Sequence, residues 1–165
     1  MALLSNQKQD YGLFYFKLGT LLFWGIWFSI AFSTNIADFF ITTNTHLASS
    51  FRSGNYNALE KVIVIHNTPH YFLNILFSLD IFAQGLSAIL FFIAVFCLWK
   101  HVYVWQAINI AFNVSMSLWA VFLIMEELFI AYSYEATHIR LFMFEMISLL
   151  ALHLLPHPTS ESTLK

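Results

Sequence analysis

The sequence predicts an all-α integral membrane protein, a four-transmembrane-helix bundle with a short interfacial helix between helices 1 and 2. Three observations carry this. The 165-residue chain is 59% hydrophobic and 10% charged, too apolar for a soluble domain of its size. Four continuous apolar stretches each approach or exceed the ~20 residues needed to cross a hydrocarbon core. None alternates with the period of two that a membrane barrel strand requires. The expected organisation is a single transmembrane domain over 1–155, with helices at about 12–40, 69–99, 102–130 and 136–155, and a disordered polar tail over 156–165.

The first stretch, Gly12 to Phe40, is longer than the roughly 7 to 15 apolar residues of a removable signal peptide, so it reads as a retained helix. It carries Asn35 and Asp38 near its outer end. In the long connection that follows, Asn57-Ala58-Leu59-Glu60 fits a capping box that opens a short helix through about Ile65. The Val62–Ile65 run is too apolar for free solvent, so this helix is expected at the membrane surface or over the bundle mouth, as a lid. Thr68-Pro69 reads as N-cap and first helical residue of the second crossing, which puts His70 in its first turn.

On the second crossing His70, Asp80 and Gln84 share a flank, with Asn74 at its margin and Asp80 about 15 Å below His70. Cys97, the lone cysteine, lies deep in this segment, so no internal disulfide forms. A tight Lys100-His101 turn leads into the third crossing. At 100 degrees per residue Asn109, Asn113, Ser117 and Glu127 form one polar stripe, and Glu126 falls about 100 degrees away from it. Glu127 is therefore the acid expected to face the interior. On the fourth crossing Glu135, His138 and Glu145 share a face, Glu145 about 10 Å below His138.

Seven of the nine carboxylates, Asp38, Glu60, Asp80, Glu126, Glu127, Glu135 and Glu145, fall toward one end of this bundle. A charge at bilayer depth costs at least ~2.5 to 3.5 kcal/mol, so such groups face a partner, a cavity or an ion. Asp80 and Glu145 are too deep to snorkel and are the candidate proton carriers. Placing both termini in the cytoplasm puts Lys8, Lys17, Lys100 and Lys165 inside and Arg52, Lys61 and Arg140 outside, a small positive-inside excess. The acidic end is then non-cytoplasmic. A net charge of -2 without a basic cluster gives no footing for nucleic acid.

Glu135-Ala136-Thr137-His138 is the sharpest local pattern. Its spacing resembles the Glu-x-x-His element of ferritin-like di-iron carboxylate bundles, which carry two such pairs where this chain has one. The candidate metal ligands are Asp38, Glu127, Glu135 and His138, with His66 and His70 as weaker candidates. Oxygen and imidazole donors suit iron, manganese or zinc. Haem is disfavoured, because no two histidines sit at matching depth on facing long helices. Structural roles compete with each of these. Glu135 complements a helix dipole, Glu126 and Arg140 form an ion pair, and Asp80 and Glu145 bond to Gln84 or Asn113.

The expected function is that of a small polytopic membrane protein whose acidic, histidine-bearing cavity, in the non-cytoplasmic half, binds a cation or small polar-headed ligand. Any chemistry there would be metal-dependent. The alternative is a non-catalytic accessory subunit of a larger membrane complex. The expected partners are the lipid bilayer and either other membrane subunits or further copies of the chain.

Overall fold

A computed structural model describes the backbone of residues 2–43 and 50–156, and the side chains from residue 11 onward within those segments. The elements are α1 (Ala2–Thr43), α2 (Asn55–Ile63) with a 3-10 turn at Val64–His66, α3 (His70–Lys100), α4 (Val104–Leu128) and α5 (Tyr132–Leu154). Tyr11–Thr43 of α1 and the whole of α3, α4 and α5 are long and apolar enough to cross a membrane. The chain is thus an all-α, multi-pass membrane protein with a short helix between its first two crossings. Beyond Pro156, the tail expected to be disordered lies outside the described residues.

Polarity is distributed inside out. Phe23, Ile26 and Ile30 of α1 and Phe82, Ile89 and Phe96 of α3 face outward, whereas Asn35, Asp38, Asp80, Gln84, Ser115, Glu126 and Glu145 are buried. Lipid is as apolar as a leucine core, so such helices associate through close packing and interhelical hydrogen bonds. α1 packs on α3, α3 on α4, and α4 on α5, while α2 lies against α1 and α3. Gly85 permits the first of these contacts, since a Cβ there would meet the Phe32 ring at 2.8 Å. Hydroxyls along α1 bond back to their own helix, Ser29 to the Gly25 carbonyl at 2.7 Å and Thr34 to that of Ile30 at 2.9 Å. They therefore need no partner from the lipid side.

The helix ends differ in detail from the sequence reading. Asn57 lies inside α2 and does not cap it. The N-cap is Gly54, at φ 78°, and the Tyr56 amide donates to Asp38 of α1 at 2.8 Å. A distant carboxylate does the work expected of the local capping box. Pro69, not Thr68, is the N-cap of α3, and it accepts from the Phe72 amide at 2.9 Å. α3 ends on His101 in the left-handed region, whose amide turns back to the Cys97 and Leu98 carbonyls.

α4 closes in a Schellman arrangement. The Ala131 amide donates to the Glu126 carbonyl at 2.8 Å and that of Ile130 to the Glu127 carbonyl at 3.4 Å. Ile130 occupies the left-handed position at φ 54°, where a β-branched side chain is disfavoured and glycine is the usual residue. Its side chain is exposed and contributes little packing. Ile130→Gly is therefore expected to raise stability by about 0.5 to 1 kcal/mol, net of the entropy lost by glycine. A higher thermal midpoint in detergent micelles is the readout.

Candidate functional site

The carboxylates and histidines of the acidic end sort into four groups. Asp38 is fully buried and serves α2. Besides the Tyr56 amide it accepts from the Ser53 hydroxyl at 3.1 Å, and among the described residues its Oδ1 has no hydrogen-bond partner. The Tyr56 hydroxyl donates to Asn74 at 2.6 Å, and burial, aided by nearby Glu60, pushes this phenol up, so it remains a donor. The second group joins α1 and α3. Asn35 Nδ2 donates to Asp80 at 3.1 Å and to Gln84 at 2.9 Å, and Gln84 Nε2 donates to Asp80 at 2.8 Å. Asn55 of α2 extends this network through Asn35 Oδ1 at 3.0 Å.

The third group is Glu126 with His138. Glu126 on α4 is 6% exposed and takes a short hydrogen bond from His138 Nδ1 on α5. The imidazole stacks on Phe122, centroids 4.7 Å apart at 12°, and on Trp119 at 5.8 Å and 20°. Glu126 Oε2 is buried and has no hydrogen-bond partner among the described residues. The fourth group is Glu145, fully buried, which accepts from Ser115 at 2.5 Å and from Trp119 Nε1 at 2.8 Å.

Several expectations are corrected by this arrangement. The interior acid of α4 is Glu126, and Glu127 is exposed. The stripe that pointed to Glu127 faces away from the packed core, with Asn113 and Ser117 also exposed. The partner of Glu126 is His138 and not Arg140, which is exposed. Glu145 bonds to Ser115 and Trp119 where Asn113 was expected. The candidate metal ligands do not converge. Asp38 is committed to α2, Glu127 points outward, Glu135 lies in the first turn of α5, and His138 is held by Glu126. His66 Nε2 donates to the Leu128 carbonyl at 2.9 Å and His70 meets Glu60 at 3.4 Å. Among the described residues no group of three or more His, Cys, Asp or Glu is arranged to hold a metal ion.

The second and third groups instead face one another across a cavity of about 680 Å³, a size typical of small-molecule sites. Asp80, Gln84 and Asn55 supply polar atoms on one wall and Glu126 and His138 on another. Apolar side chains such as Leu76, Leu118, Phe122 and Leu141 line the remainder, and Ala58, Leu59 and Val62 of α2 cover its end. Among the described residues no lysine or arginine lines it. Comparison with protein-family models, with curated proteins and with solved structures finds no match.

One signal in the sequence pointed to Glu126. Ile108, Phe112, Ser115, Trp119 and Glu126 are buried and follow the three-and-four spacing of a packed face. The same face supplies Ser115 and Trp119, the unanticipated partners of Glu145. α5 buries only Glu145 and Leu152, so this carboxyl is its main attachment at mid-depth. Glu145→Ala is expected to cost roughly 1 to 3 kcal/mol, two interhelical hydrogen bonds at membrane magnitudes plus a cavity. Glu145→Gln, which keeps an acceptor, should recover most of that. Unfolding in mixed micelles checks both.

Proposed function

We propose that this protein binds a small molecule with a cationic, hydrogen-bond-donating head in the cavity beneath α2. The supporting observation is the pairing of two carboxyl groups, Asp80 and Glu126, with apolar walls and no lysine or arginine to neutralise them. Buried acids call for a positive or donating partner, and Glu126 Oε2 has none among the described residues. The apolar lining suits the body of an organic ligand better than a bare ion. In this reading the termini are cytoplasmic and the cavity belongs to the non-cytoplasmic half.

The test is binding of octylamine against octanoate, followed by thermal stabilisation of the purified protein. Octylamine should stabilise the wild type, octanoate should not, and Asp80→Asn or Glu126→Gln should weaken the effect by roughly tenfold each. Equal stabilisation by both compounds would end the proposal. A second reading, a subunit of a larger membrane complex, draws on Asn113, whose side chain is exposed within the α4 span and makes no hydrogen bond among the described residues. In lipid such an amide favours helix association. Loss of a co-purifying chain, or of self-association, in Asn113→Leu would support it.

A further inference from the structure

The cavity reaches the outer surface of the bundle within its membrane-spanning segments. Its wall includes Leu79 and Phe82 of α3 and Ser117 and Val121 of α4, all exposed and all within membrane-spanning segments, besides the exposed Trp27 of α1 and Tyr134 and Thr137 of α5. The α3 and α4 residues form a rim between those two helices, on the half away from their connecting turn. The opposite end is covered by α2, which is pinned to α4 by the hydrogen bond from His66 to the Leu128 carbonyl and by the contact of its ring with Phe129. The open side therefore faces lipid.

Depth gives the opening a direction. Glu126 is two residues from the end of α4, whereas Val121 and Ser117 lie about 7.5 and 13.5 Å further into the bilayer at 1.5 Å per residue. Glu126 and the α4 rim are arranged as the head and tail of a membrane amphiphile are, the acid nearer the surface and Val121 nearer the midplane, while Asp80 lies at the depth of Leu79 and Phe82. Glu126 Oε2 is buried and without a partner among the described residues, and His138 Nε2 is the ring nitrogen not committed to Glu126.

Resting on the proposed binding of a cationic head, we infer that the ligand is a single-chain amine drawn from the bilayer itself, its chain leaving the cavity between α3 and α4. Binding then needs no movement of α2. The ammonium sits against Glu126 while the chain passes Val121 and Leu79 into the lipid.

The experiment uses full-length protein in phosphatidylcholine nanodiscs and hexadecylamine bearing a diazirine at its chain terminus. After irradiation, the labelled residues are mapped by mass spectrometry, with unlabelled hexadecylamine as competitor. The expected result is competable labelling of Leu79, Phe82 or Val121, reduced roughly tenfold by Glu126→Gln. Competable labelling of Leu59, Val62 or Phe129 would place the chain under α2 and overturn the lateral route, leaving the head-binding proposal standing. Labelling that neither competitor nor Glu126→Gln reduces would overturn both.

Discussion

Replacing His138 with phenylalanine is expected to destabilise the bundle by roughly 1 to 3 kcal/mol, the cost of leaving a buried hydrogen-bonding group without its partner. The substitution isolates one interaction. A phenyl ring preserves the stacking on Phe122 and Trp119, so the packing of α5 on α4 is retained. What disappears is the Nδ1 donor to Glu126, which leaves a carboxyl group buried with both oxygens unpartnered. Because His138 is 22% exposed, water relieves part of this penalty, which favours the lower part of the range. The double variant Glu126→Leu/His138→Phe removes the orphan along with its donor and should regain most of the stability. A double-mutant cycle in mixed micelles gives the pair term, and additive single effects would mean that the two side chains do not interact.

Phe28→Ala is expected to cost at least as much, roughly 3 to 5 kcal/mol. Phe28 is completely buried where α1, α3 and α4 meet, stacked on Phe91 at 5.9 Å and 11° and on Trp119 at 5.8 Å and 28°. In a membrane the separated helices already sit in an apolar medium, so little of the cost is transfer to lipid. It is the loss of ring contacts and the void left behind. The effect should spread. Trp119 donates to Glu145 and supports His138, so loosening one face of its indole weakens the seats of two polar side chains on α5. Phe28→Leu, which fills most of the space, should lose less than half as much. A Phe28→Ala protein that unfolds at the wild-type denaturant concentration would show that this aromatic junction is dispensable.

The crossings were legible because length and apolar content are properties of each segment alone. So was the partnership of Asp80 with Gln84, one helical turn apart. Sidedness was not. Helical periodicity relates Asn109, Asn113, Ser117 and Glu127 to one another, but it does not say whether their shared face packs or looks outward. In a soluble helix polarity decides that question. Here polar side chains lie on both faces of α4, Ser115 and Glu126 on the packed one and Asn113, Ser117 and Glu127 on the exposed one, so polarity did not decide. Partners drawn from other helices, Asp38 for α2 and Trp119 for Glu145, leave no mark in local spacing. The Glu135-x-x-His138 pattern was visible, yet its histidine is claimed by α4 and its glutamate sits at a helix start, as the dipole reading of that residue anticipated.

The thin attachment of α5 carries a consequence for how the chain is threaded together. Apolar contact with α4 is nearly indifferent to rotation of α5 about its own axis, because lipid receives any surplus leucine as readily as a neighbour does. Directional bonds are not indifferent. Glu145 reaches Ser115 and Trp119, Ser148 accepts from Trp24 at 3.1 Å, and the Leu155 carbonyl accepts from Lys17 at 3.0 Å. These contacts fall at three heights on two different neighbours, so together they admit one azimuth and one vertical offset. Helix α5 is thus indexed like a key: its polar teeth select the setting, and its greasy shaft merely allows it to turn.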